Sequence, residues 1–231
     1  MRTAALWLGI GLGLTITIAN NLQAKQTSST ESQDEIATLC PAFGEWQRAH
    51  PRSIASQDVA ADRLTHPELR LQLLAMYSKD QDARKRPEGV SDAIENIDRK
   101  NLPAIRNIVD THGFPSPAMV GKDGVEAAFI LVQHANRDVQ LQERVLNQLS
   151  ELHADHKISG QALALLTDRL LVNRGLPQRY GTQFIDRDGF TKPRPIENQG
   201  MVDDLRRQMG LPPLRDYACA MSVMSGLPAK I

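Results

Sequence analysis

Residues 124–138, GVEAAFILVQHANRD, constrain the fold more than any other part of the chain. Val125, Ala127, Ala128, Phe129, Ile130, Leu131 and Val132 leave no polar face at a period of 3.6 or of 2. A helix that is apolar all round belongs in the middle of a fold. A strand is the competing reading, but the polar tail 133–138 carries the segment past ordinary strand length, and Ala127 and Ala128 favour helix. Gln133 and His134 follow directly on this run. Polar groups placed there must find hydrogen-bond partners, because each unpaired one costs about 1–3 kcal/mol. The sequence therefore predicts a buried polar cluster at the end of a central helix.

Charge and composition narrow the class of partner. Lys+Arg and Asp+Glu balance at 27 each, so no net field attracts nucleic acid or an anionic membrane. Aromatic residues make up 4% against a hydrophobic total of 41%, which predicts a largely aliphatic core. Arg2, the apolar run 4–19 and the polar stretch ending in Ala24 have the layout of a secretory signal peptide. The run is shorter than the roughly 20 apolar residues of a membrane span. Residues 1–24 are thus expected to be a signal peptide cleaved after Ala24, with an uncleaved anchor as the alternative. The expected location is periplasmic or secreted, with no stable membrane insertion after cleavage. Cys40 and Cys219 are the two cysteines, and in an exported protein such a pair is expected to form a disulfide. They lack metal-ligand spacing.

Residues 25–63 read as a tether and N-terminal extension. The polar 25–34 is low in complexity. Ile36, Leu39, Phe43 and Trp46 suit a short helix broken or re-entered at Pro41, docking its aromatic residues on the main body. Residues 51–63 are ambiguous. The remainder, 64–231, is expected to be one mainly α, multi-helix domain with a short β-hairpin near its C-terminal end. Thr65, Pro67 and Glu68 open a helix whose stripe is Leu69, Leu73, Met76 and Tyr77, continuing into Asp80, Gln81 and Arg84. On this stretch alone the helix leaves the core there, and Asp80 and Arg84 form an i,i+4 surface pair worth about 0.3 kcal/mol. A further helix is capped at Asp98 or Asn101, because Pro103 fits only near a first turn. It carries Leu102, Ile105, Ile108 and Val109, and His112 sits in its last turn before Gly113. After the central helix come helices over 139–152 and 160–173, the second interrupted by Asp168 and Arg169. His153 and His156 form only a weak zinc pair, with an exposed turn the favoured reading. Asp188 and Gly189 mark a hairpin turn between 180–185 and 190–196, whose second arm is made irregular by Pro193 and Pro195. Short helices over 202–209 and 212–223 close the chain.

Taken in order, the polar insertions are Asp80-Gln81-x-x-Arg84, Asp98-x-x-Asn101, His112-Gly113-Phe114-Pro115, Gln133-His134-Ala135, Asp168-Arg169 and Gln178-x-Tyr180-Gly181-Thr182-Gln183. This set resembles a bacterial family of uncharacterised proteins, a domain of unknown function marked by DQ, HG-aromatic-P, QHA and QxYGTQ. The resemblance spans roughly residues 69–217. Phe114 stands where Trp is expected and Asn136 where Asp is expected, so no acid is carried over at 136. The resemblance implies no activity, only that these motifs make one unit.

Three readings follow. Gln81, Arg84, Gln133, Arg169, Gln178, Tyr180, Thr182 and Gln183 could line a pocket for a small polar or peptide-like ligand. His134, His112, Asp80 and Asp168 could instead provide general acid and base in a hydrolase or lyase that needs no metal. These two rank level. A buried polar network that only fixes helix packing ranks third. No cofactor or metal is expected, since no phosphate loop and no complete ligand spacing occurs. The sequence leaves the oligomeric state open. One juxtaposition is expected under either functional reading: His134 with Asp80 and Gln183 at a single pocket.

Overall fold

A computed structural model of the chain describes residues 34–50, 54–55, 59–84 and 90–231. The signal-peptide reading of 1–24 and nearly all of the polar tether lie outside these residues. The main core is arranged round α4 (Pro117–His134), the helix that the apolar run predicts. Val125, Ala127, Ala128, Phe129, Leu131 and Val132 are all buried. Each large side chain among them contributes about 1.5–3 kcal/mol by leaving water. The helix has a break in it: Gly121 takes φ 70 and ψ 172, a conformation open to glycine, which separates the first turn from the long buried part.

Around α4 stand α2 (Pro67–Arg84), α3 (Val90–His112), α5 (Val139–Ala154) and α6 (Gly160–Asn173). The shared core is largely aliphatic, built from Leu73, Ile105, Leu131, Leu141, Val145, Leu149 and Leu166, with Phe114 and Phe129 as buried aromatic members. Asp138 caps α5 by accepting from the Leu141 amide at 3.0 Å, and Ser159 caps α6. The expected start of α3 at Asp98 or Asn101 is overturned: the helix begins at Val90 and runs straight through Pro103. Half-buried Ala93, Ile94 and Ile97 extend its stripe upstream. Their packing offsets the roughly 3 kcal/mol that an interior proline costs.

Beyond α6 the chain turns irregular, then forms an antiparallel hairpin of β1 (Phe184–Arg187) and β2 (Phe190–Pro193). Its turn residues Asp188 and Gly189 have φ of 56 and 75, as a tight hairpin turn requires. The strands are shorter than the arms read from sequence, and 180–183 is loop. Short α7 (Val202–Gln208) and α8 (Leu214–Ser225) follow.

The N-terminal extension docks as expected. Residues 34–39 are helical, the chain breaks at Cys40, and α1 (Pro41–Ala49) continues. Ile36, Cys40 and Phe43 pack with Ala220, Tyr217 and Val223 of α8 in a second, smaller cluster. A disulfide joins Cys40 to Cys219 across it, with Cα atoms 5.9 Å apart. No helix among the described residues is long and apolar enough to cross a membrane.

Candidate functional site

The last turn of α2 reaches the last turn of α4, and two motifs meet there. Asp80 is fully buried, so the surface-pair reading of Asp80 and Arg84 is overturned. The carboxylate receives Arg84 Nη1 at 2.5 Å and Gln81 Nε2 at 2.8 Å, while His134 Nδ1 lies 3.0 Å from both of its oxygens. Arg84 turns its other nitrogen to Asp98 of α3 at 2.6 Å. Burial alone would raise the Asp80 carboxyl, but the His134 hydrogen bond and charge, with Arg84 and Gln81, outweigh it. The group is held below its ordinary value. An ionised carboxylate can only accept, so His134 Nδ1 carries the hydrogen it shares with Asp80. His134 is 16% exposed and borders a hollow of about 370 Å³ with Glu95, Asp98, Leu102 and Arg137. Asp80, Asp98 and His134 could each offer a ligand atom to a metal within 4.8 Å of one another. The Arg84 guanidinium already bridges the two carboxylates, which is the position and charge a cation would take.

Asp168 builds a second centre from α6. It is fully buried and accepts from the amides of Arg179 (2.8 Å), Tyr180 (3.0 Å) and Thr182 (2.9 Å), and from Thr182 Oγ1 (2.9 Å). Its lone pairs are thus committed to folding the 178–183 loop. Gln178, also fully buried, works on the same loop. Its Nε2 donates to the carbonyls of Gln183 and Arg194, both at 2.9 Å, and its Oε1 accepts from the Gln183 amide at 2.8 Å. From the other side the buried Arg206 donates to the carbonyls of Pro212 (2.6 Å) and Tyr180 (2.5 Å) and lies 4.9 Å from the Tyr217 ring centroid. Burial pushes this guanidinium down to about 10, against the pull of Tyr217 and Asp203. Gly181, at φ 69, lets the loop pass Leu214 closely.

A groove of about 530 Å³ lies between this loop and α4. Gln133, Arg169, Thr182, Gln183 and Arg194 supply its polar lining, and Phe43, Tyr217 and Met221 stand among its apolar residues. The carbonyl of Gln133 is held by Gln142 Nε2 at 3.1 Å, and Asn173 donates to Gln142 Oε1 at 2.9 Å. The Gln133 side chain, 6% exposed, has no hydrogen-bond partner among the described residues. Arg169 Nε is buried and also unpartnered. Burial lowers the Arg169 guanidinium, and the neighbouring charges of Arg84 and Arg194 lower it further, with Tyr217 and Asp98 opposing.

Most of the residues singled out from sequence therefore gather in two adjoining places. Asp80, Gln81, Arg84 and His134 form the first; Gln133, Arg169, Thr182 and Gln183 line the second, while Gln178 and Tyr180 belong to its loop without lining it. Asn136 borders both hollows. The expected meeting of His134 with Asp80 is present, but Gln183 faces the groove and bonds Thr182 Oγ1 at 3.1 Å instead of joining them. His112 is elsewhere. It is exposed, edge-on to His66 at 5.2 Å, and a helix rise puts it roughly 21 Å along α3 from Asp98. The His-Gly-Phe-Pro motif makes a corner, where the Phe114 amide donates to Gln148 Oε1 at 2.8 Å. Sequence reasoning missed Arg194 and Arg206. Both come from segments without hydrophobic period, and only the density of Gln, Tyr and Thr in the loop they hold could have pointed to them.

No curated protein and no solved structure matches the chain. A family model described as a family of unknown function (DUF6624) matches residues 67–230, which include every motif that builds the two hollows but not Phe43 of the groove wall, and the chain belongs to that family.

Proposed function

We propose that this is an exported protein, delivered by residues 1–24 to the periplasm or beyond, that binds a small polar or peptide-like ligand in the groove beside Gln133. The observation that carries this reading is the Gln133 amide: it is 6% exposed, lines the groove and has no hydrogen-bond partner among the described residues. Its amide nitrogen and oxygen are not sealed from solvent, so they open on the groove, where a ligand amide can exchange hydrogen bonds with them. Gln183, Thr182 and Asn173 stand round the same space with amide and hydroxyl groups suited to a neutral polar backbone. The test is a thermal-shift and equilibrium-dialysis screen of short peptides and polar metabolites, comparing the parent with Gln133→Leu. Ligands that stabilise the parent should lose affinity in the variant. A screen in which Gln133→Leu binds every hit as well as the parent removes the groove from the reading.

A second reading, acid–base catalysis without a metal, is supported by the Asp80–His134 pair. The carboxylate orients the ring, and Nε2 makes no hydrogen bond among the described residues. Its mark would be chemical change in a bound ligand, abolished by His134→Gln with binding retained.

A further inference from the structure

Taking the groove as the ligand site proposed above, we propose that it grips an anionic end of the ligand, a carboxylate in the peptide-like case, between Arg169 and Arg194. Of the arginines that reach into this part of the molecule, Arg84 is neutralised by Asp80 and Asp98, while Arg206 gives Nε and Nη1 to carbonyls and, although its Nη2 is buried without a partner among the described residues, does not line the groove. Arg169 and Arg194 form no ion pair and no side-chain hydrogen bond among the described residues. Arginines unpaired elsewhere, such as Arg48, Arg63 and Arg215, are exposed, so water serves them. These two are partly buried, line one groove, and Arg169 keeps a buried Nε with no partner among the described residues.

Two like charges brought together out of water repel, and a guanidinium fork presents donors that match an oxyanion in two places. No acid stands among the described residues that line the groove to answer them. An incoming carboxylate would satisfy the fork and cancel the repulsion in one step. Gln133 and Gln183 then face the part of the ligand adjoining its charged end. A free phosphate or phosphate ester shares the oxyanion chemistry, and the two sources separate in the test.

The full mature chain is titrated with three probes at constant ionic strength. They are a mixture of tripeptides as free acids, the same mixture amidated at the C-terminus, and inorganic phosphate. Each is repeated with Arg169→Met and with Arg194→Gln, the second the safer folding control because no buried unpartnered atom belongs to its side chain. Free acids should bind at least about tenfold more tightly than amides, and either variant should erase that difference. Phosphate alone binding, and being lost in the variants, supports the anion grip while refuting the peptide-like reading. Acids and amides binding equally overturns the grip and leaves the groove a neutral site. No binding of any probe by a folded parent overturns both. Acid preference that survives in both variants also overturns the assignment, because the charge would then be read elsewhere.

Discussion

His134 Nδ1 lies 3.0 Å from each oxygen of the Asp80 carboxylate, so the end of the most apolar helix is fixed to the end of α2 by a histidine–carboxylate pair. Asp80 also receives Arg84 and Gln81, whereas His134 keeps one nitrogen towards a hollow. The two residues are therefore unequal, and their variants should be too. Asp80→Asn removes the buried one of Arg84's two carboxylates, leaving Asp98 as its countercharge, and should cost about 2–3 kcal/mol. His134→Ala leaves the carboxylate with two partners and should cost about 1–2 kcal/mol. Gln183→Ala removes one bond to Thr182 and should fall at or below the lower figure. Chemical denaturation of the three variants beside the parent decides. Losses of equal, large size in all three would mean a purely structural network and would withdraw the ligand reading.

The acid limb of stability follows from the same pair. Asp80 is held below its ordinary value of 3.8, so its folded state binds a proton less readily than its unfolded one. The stabilisation is present above that value and is lost as pH falls through the depressed folded value. Asp80→Asn should flatten the parent's loss of stability below about pH 4. Melting temperatures taken from pH 2 to 7 for both proteins check this, and parallel curves would deny Asp80 the role.

How far this centre could be read from sequence depends on which residue is considered. The buried run and the polar cluster at its end were legible, because seven apolar positions between 125 and 132 leave no polar face and Gln133 and His134 come next. Asp80 was not, because an i,i+4 Asp–Arg spacing looks the same on a surface as beneath three packed helices. The start of α3 was misread through Pro103, whose local cost is overridden by apolar contacts that only the tertiary structure supplies. Asp168 was seen as a polar residue on a buried helix, but its task was not, since the amides it receives belong to residues 179–182 and carry no side-chain signature. The groove itself combines α4, α6, the loop and α8, and no single segment announces it.

Asp168 gives a prediction of a different kind. It holds three backbone amides and one hydroxyl of the 178–183 loop, and an amide side chain cannot accept on both atoms. Asp168→Asn should destabilise by about 3 kcal/mol or more, with hydrogen exchange of the Tyr180 and Thr182 amides accelerating before global unfolding. Unchanged protection at those two amides would show that the loop is held by Gln178 and Arg206 without it.

Gly181 is required by both conformation and space. Its φ is 69, and an added Cβ would lie 2.9 Å from Leu214 Cδ1 and 3.1 Å from Ile196 Cδ1. Gly181→Ala should cost about 1–3 kcal/mol through the left-handed backbone, plus whatever the two side chains must yield. Gly175, also at positive φ but with nothing within 4 Å of an added Cβ, is the control. Its alanine variant carries the backbone cost alone, so a melting-point loss at 181 no greater than at 175 would show that the neighbours simply move aside.

The last prediction concerns the apolar wall of the groove. Phe43 comes from α1 and Tyr217, Met221 and Met224 from α8, and the Cys40–Cys219 disulfide ties those two helices across 179 residues of chain. On chain entropy alone so long a loop stabilises by about 5 kcal/mol, less any native strain. The small cluster under α1 contains few fully buried side chains, so without the covalent tie this segment is the first expected to detach. Cys40→Ala with Cys219→Ala should therefore lower the melting temperature and, separately, weaken ligand binding by opening one side of the groove. Protein recovered from the cell envelope should show no free thiol before reduction, and its N-terminus should be Lys25. Two reactive thiols in that material, or a double variant that melts and binds like the parent, would show that the groove keeps its wall without the bridge.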